Sequence, residues 1–303
     1  MIDDKKPRLA VVVVGGSRGI GRAIAKVAAA DGGPIVLVGR SVGHLTEAAR
    51  EIHMAGGEAL ILTLDLSTAD VPARLQQFLA GNDLLCDVLV NSAGYGLRGA
   101  ATLMPIEEQI GIIDVNVRAL SELTLHFLPG MLQRRRGGVI NLASVASFTP
   151  GPNMAMYYAS KSFVRSFSEA LHSELRFTGV TVTCAAPGPV ATEFLDRSGA
   201  GRAALFKILP KHQVDHVAER IWRGFRSGRR LVIPGISAKI AAAFARSLPT
   251  SVLLLLVGRM QRRSSDRCPC GSGLFFTACC GALHASPDRN GVKSRGRNRL
   301  TPD

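Results

Sequence analysis

The sequence predicts an α/β protein: a doubly wound parallel sheet followed by a small cysteine-bearing appendage. Three observations carry that expectation. Continuous apolar, β-branched runs such as "LAVVVV" mark strands buried on both faces, as in a parallel sheet covered by helices. These runs alternate with stretches of helical spacing, which is the pattern of βαβ units. The first run breaks into glycines, "GGSRGIG", immediately before the first helical stretch.

In chain order, "LAVVVVGG" is the first strand, "RAIAKVAAADGG" a helix with a glycine stop, and "PIVLVGR" the second strand. "LTEAAREIHMAGG" is the second helix and "EALILTLDLS" the third strand. "CDVLVNSAG", "GGVINLAS" and "GVTVTCAAPG" follow as strands with helical segments between them, and "RRLVIPG" is a candidate seventh. Right-handed crossovers place every strand-to-helix loop at one edge of such a sheet, where ligands bind. From Ala238 the pattern changes. We expect a catalytic domain over 1–237, an apolar and basic helical extension over 238–265, a cysteine motif over 266–283 and a disordered basic tail over 284–303.

Of the 303 residues, 47% are hydrophobic and 20% charged, a globular composition. The net charge of +14 is uneven. Residues 1–196 hold 17 Lys and Arg against 18 Asp and Glu, whereas residues 197–303 hold 20 against 5. That positive field suits an anionic membrane surface, a nucleic acid or an acidic substrate, and it equally suits a solubilising surface. No aromatic-interleaved basic motif or helix-turn-helix pattern supports nucleic acid, so such a partner is not expected. The start "MIDDKKPRLAVVVVGG" does not read as a signal peptide, and "SLPTSVLLLLVG" falls short of the ~20 apolar residues that span a bilayer. The expected location is cytoplasmic. The apolar, Arg-flanked segment could lie on a membrane surface or pack in a core or dimer contact.

The glycine loop between the first strand and helix lets backbone amides approach a pyrophosphate while the helix N-terminus supplies favourable partial charge. Its spacing is Gly15-x-x-x-Gly19-x-Gly21. Together with "NSAG" at Asn91–Gly94, Asn116 in "DVNVRAL", Ser144, the Tyr157-x-x-x-Lys161 pair and "PGPVAT" at Pro187–Thr192, it resembles the short-chain dehydrogenase/reductase family over roughly residues 8–235. The resemblance implies a Rossmann fold, a nicotinamide cofactor, and a dimer or tetramer. One departure is Val14, where the family usually has a threonine that steadies the loop.

The resemblance implies a cofactor surface of Gly15, Ser17, Arg18, Gly19, Ile20 and Gly21 in the first loop and Arg40 after the second strand. It continues with Asp65 and Leu66, then Asn91, Ala93 and Gly94, then Pro187, Gly188, Val190 and Thr192, with Tyr157 and Lys161 touching the nicotinamide ribose. Asp65 would contact the adenine and Thr192 the carboxamide. The charge pattern selects NADP(H): Gly39 stands where a carboxylate would take the ribose hydroxyls, and Arg18 and Arg40 suit a 2′-phosphate.

Tyr157 and Lys161 are four apart and share a helix face. A lysine ammonium beside the phenol, together with the charge of the oxidised nicotinamide, favours tyrosinate, bringing its pKa down from about 10 so that it can exchange a proton with a carbonyl or alcohol oxygen. Ser144 can donate to the same oxygen. The resemblance gives Asn116 a water linking Lys161 to solvent. Tyr158, three residues before Lys161, points about 100° away and reads as structural. "SFTPGPNMAMYY" (147–158) and "EFLDRSGAGRAALFKILP" (193–210) are candidate pocket walls, and their apolar side chains favour a lipophilic carbonyl substrate, 3-oxoacyl or steroid-like. The alternative is a nucleotide-binding adaptor that regulates what the tail binds.

Cys268, Cys270, Cys279 and Cys280 supply four thiolates, the number that a closed tetrahedral zinc site takes. "CPCGSG…CC" resembles the SEC-C motif, a small zinc-binding unit appended to unrelated proteins, which implies structural zinc and a protein partner for the tail. Unmetallated or disulfide-paired cysteines are the alternative. Cys86 and Cys184 fall in strands and read as core residues.

Overall fold

The computed structural model describes residues 6–190 and 212–261. Strand β1 (Arg8–Val14) leads into α1 (Gly19–Ala29), β2 (Pro34–Gly39), α2 (Val42–Met54), β3 (Glu58–Thr63), α3 (Val71–Gly81) and β4 (Leu84–Asn91). Helix α4 (Ile106–Ile113) continues through a π-helical segment (Asp114–Ala119) into α5 (Leu120–Gln133), and β5 (Gly137–Leu142) follows. Then come α6 (Ala155–Glu174), β6 (Val180–Ala185), α7 (Val214–Arg226), β7 (Leu231–Val232), α8 (Ile236–Ser247) and α9 (Thr250–Gln261). The strands pair in parallel in the order β3-β2-β1-β4-β5-β6-β7. Strand order reverses between β1 and β4, the crevice where ligands bind in sheets of this kind.

Period-two alternation assigns each strand residue to a face. Val13, Ile35 and Leu37 pack under α1, α2 and α7, whereas Val12, Val36 and Val38 pack under α3, α5 and α6. Each fully buried Ile or Leu in these layers contributes about 1.5–3 kcal/mol. Helix α1 follows from its spacing: Ile20, Ala23, Ile24, Val27 and Ala28 fall on one stripe facing the sheet. Trp222 of α7 fastens the same layer by donating its indole N–H to Asp31 at 2.9 Å.

The predicted 238–265 extension differs in detail. It begins at Ile236 and is two helices, because Pro249 lacks an N–H and ends the hydrogen-bond ladder of α8. No helix among the described residues is long and apolar enough to cross a membrane. All described residues belong to one unit, Met1–Arg262. The cysteine motif, the basic tail and the wall at 193–210 lie outside the described residues.

Candidate active site

The glycine loop sits at the C-terminal end of β1. Gly15 has φ +84°, and a Cβ there would fall 2.5 Å from the Ala93 nitrogen; a Cβ on Gly21 would fall 2.3 Å from the Gly15 oxygen. The first helical turn therefore packs directly on the loop, and a side chain at either position would prise them apart. Val14 replaces a hydroxyl, yet the loop is steadied by backbone alone: Gly15 and Gly16 donate to the Val38 oxygen, and Ser92 and Ala93 to the Val14 oxygen. Arg18 occupies the N-cap position of α1, and Ser17 lies against Gly39 at the end of β2. Ile20 tucks into the core beneath the loop.

Arg40 and Asp65 stand exposed at the ends of β2 and β3. The Asp65 carboxyl is held below its ordinary pKa by the backbone N–H and hydroxyl of Ser67, helped by the charge of Arg40. Leu66 is buried in the core. The side chain of Asn91 turns inward, so only its backbone faces the crevice: it donates to Thr124 at 3.0 Å and to Asn141 at 2.9 Å. At the end of β6, Pro187 accepts from the Val145 nitrogen, Gly188 rests against Ala238, and Val190 is buried and bridged to His212. Thr192 lies outside the described residues.

Helix α6 carries Tyr157 and Lys161 one turn apart, both buried. Ser144 begins the turn after β5, its hydroxyl accepting from the Ala146 nitrogen and hydrogen-bonding Tyr157. Lys161 donates to the Leu142 oxygen at 2.8 Å, and its Nζ lies 3.2 Å from where a Gly94 Cβ would sit. Ser144, Tyr157, Lys161 and the loop at 94–96 thus converge on one end of the sheet, beside the glycine loop.

The expected lowering of the Tyr157 phenol combines Lys161 with the charge of the oxidised nicotinamide; among the chain's own groups, Lys161 does not offset burial. Burial dominates and pushes Tyr157 up to about 12, with the Ser144 hydrogen bond pulling partly back, while burial brings Lys161 down to about 8. The site therefore stores a neutral phenol beside a lysine that yields its proton readily. The Asn116 side chain is anchored between the loop after β4 and α6. It accepts from the Tyr95 nitrogen and donates to the Tyr95 oxygen and the Ser160 hydroxyl, all at 3.0 Å. The π-helical turn aims it inward, and there it fixes the loop after β4 to α6.

Sequence reasoning missed a second polar cluster. Tyr158 is structural, as expected, but its hydroxyl accepts from Gln261 at 2.9 Å, and the Gln261 carbonyl accepts from Arg98 at 2.7 Å. Tyr158 meets Tyr157 edge-on, ring centres 6.0 Å apart. The contact spans more than a hundred residues of sequence and carries no local signal.

The short chain dehydrogenase family matches residues 9–203. The chain belongs to that family. Among its relatives, a short chain dehydrogenase of Pseudocercospora fijiensis is 35% identical over 184 residues, covering 60% of each chain. The 17-beta-hydroxysteroid dehydrogenase type 3 of Danio rerio is 33% identical, again covering 60% of each. The very-long-chain 3-oxoacyl-CoA reductase of Mus musculus is 32% identical over 62% of each. The match thus spans less than two thirds of these relatives.

Solved short-chain dehydrogenases share the fold. One from Sphingobium yanoikuyae in complex with NADPH has a TM-score of 0.69 and 26% identity, covering 86% of this chain and 99% of its own. A metagenomic one in complex with NADP has a TM-score of 0.62 and 34% identity, covering 75% and 98%. Another from Burkholderia phymatum in complex with NAD has a TM-score of 0.70 and 26% identity, covering 78% and 92%.

Proposed function

We propose that this short-chain dehydrogenase is an NADP(H)-dependent oxidoreductase that interconverts a carbonyl and a secondary alcohol on a lipophilic substrate. The observation that carries the reading is the convergence of Ser144, Tyr157 and Lys161 beside the glycine loop at the switch point of the sheet. The loop residues fit a dinucleotide: Gly15 and Gly21 let the first turn of α1 pack directly on the loop after β1, which sets the α1 N-terminus at the crevice. Gly39 and Arg40 favour a ribose 2′-phosphate over a free ribose hydroxyl. When bound, NADP(H) supplies or accepts the hydride.

The chain's own residues handle the proton. Tyr157, held neutral by burial, donates to the developing alkoxide, and Ser144 polarises the same oxygen. Lys161, poised near 8, can return a proton to the tyrosinate. The steroid and 3-oxoacyl activities for which relatives are named support the lipophilic class.

The test is NADPH oxidation across acyl ketones, steroids and quinones. Tyr157→Phe should lower turnover by about 10³-fold while NADPH still binds, measured by its fluorescence. Retained turnover would overturn the assignment. A separate proposal attaches structural zinc to Cys268, Cys270, Cys279 and Cys280, which lie outside the described residues; it rests on their spacing alone. Elemental analysis after chelator-free purification should give about one zinc per chain on that reading, and its absence would refute it.

A further inference from the structure

Helices α8 and α9 present apolar side chains outward. Ile236, Ile240 and Phe244, spaced four apart along α8, are 73%, 53% and 62% exposed; Leu254, Leu255 and Leu256 of α9 are 42%, 62% and 45% exposed. Isolated exposed apolar residues need no explanation, but a stripe along α8 followed by three consecutive exposed leucines round the outer side of α9 does. The opposite face of α9 is already used: Leu253 is buried, Val257 packs on the cluster holding Tyr157 and Tyr158, and Gln261 bonds Tyr158. The outward stripe is therefore not a core face that slipped outward.

Charge selects what covers it. Residues 236–261 contain Lys239, Arg246 and Arg259, all exposed, and no Asp or Glu. A second copy would set these cations against their own images, and the remainder of the chain, 262–303, is itself basic. An anionic lipid surface offers both an apolar boundary and opposite charge. The 12 residues of α9 make only about 18 Å of helix, too short to span but suited to lie in the interface plane.

We propose that α8 and α9 form a docking surface for anionic membranes, with the exposed leucines, isoleucines and phenylalanine entering the headgroup boundary. The docked stripe would then sit one helix diameter, about 10 Å, from the cluster around Tyr157. Uptake of a lipid-soluble substrate there rests on the oxidoreductase reading; the docking itself does not.

Co-sedimentation of the full chain with phosphatidylcholine vesicles, alone or mixed with phosphatidylglycerol, tests it without any turnover. Wild type should pellet with the mixed vesicles and be released by salt. The triple change Ile240→Ser, Phe244→Ser, Leu255→Ser should lower binding at least about tenfold. Lys239→Glu, Arg246→Glu and Arg259→Glu together should lower it about a hundredfold on mixed vesicles and reduce the preference for anionic lipid. All six positions are exposed, and an unchanged circular dichroism spectrum and Tm confirm that the variants fold. Wild type remaining in the supernatant, or either variant binding as wild type does, would overturn the proposal. So would a serine variant that turns a dimer into a monomer in sedimentation velocity while vesicle binding stays unchanged.

Discussion

Between β1 and β2 the interior is apolar throughout: Val12, Val13, Ile35, Val36 and Leu37 are wholly buried with no polar neighbour among the buried residues. Between β4 and β5 the same kind of parallel pairing encloses a chain of amides and hydroxyls. Thr124 on α5 meets Asn91, Asn91 meets Asn141, Asn141 donates to Ser168 at 3.0 Å, and Ser168 donates to the Val164 oxygen at 2.6 Å. Every buried polar side chain among the described residues follows residue 90. The first region is specified by volume and face, which tolerate exchange. The second is specified by pairing, where losing one partner strands the other.

The largest expected effect breaks that pairing. Asn141→Leu leaves the Asn91 amide and the Ser168 hydroxyl short of a partner and should cost about 3 kcal/mol by urea denaturation. A loss under about 0.5 kcal/mol would mean that the ladder adds nothing beyond volume.

Lys161 gives a pH signature. Its folded pKa lies near 8, below the ordinary 10.5, so between those values the unfolded chain holds a proton that the folded chain has released. Stability from this group therefore rises with pH across that window. Relative to Lys161→Met, the wild type should gain about 2 kcal/mol between about pH 8 and pH 9.5. Taking the difference cancels Cys184 and Tyr157, both pushed up by burial and losing stability as pH rises. A flat or falling difference would remove the buried-ammonium account.

Tyr158→Phe should cost about 1.5 kcal/mol by stranding the Gln261 amide, and adding Gln261→Leu should recover most of it, because removing both partners is nearly neutral. Additive losses would show that the two side chains act separately. The smallest effect belongs to the apolar region: Ile35→Leu should cost under about 1 kcal/mol. A larger loss there would erase the contrast between the two regions.

Strand and helix order were legible because a doubly wound sheet writes its burial into local periodicity. "VVVV", "PIVLV" and the helical stripe from Ile20 to Ala28 each report their own surroundings. The glycine loop and the Tyr157–Lys161 spacing were legible for the same reason, since each is a local geometry requirement. The proton affinities were not. The spacing suggested a phenol lowered by its lysine and the oxidised nicotinamide, and it could not show that both Tyr157 and Lys161 are buried, which pushes the phenol up and the lysine down.

The sequence by itself determined the alternation of strands and helices, the crevice loop and the one-turn spacing of Tyr157 and Lys161, all of which depend on neighbours within a turn or a strand. Only the tertiary structure decided that Asn116 bonds Tyr95 and Ser160, that Gln261 reaches back to Tyr158, and that α8 and α9 leave apolar side chains exposed. Those outcomes depend on distant segments competing for the same buried donors, acceptors and surface, and no local pattern records who wins.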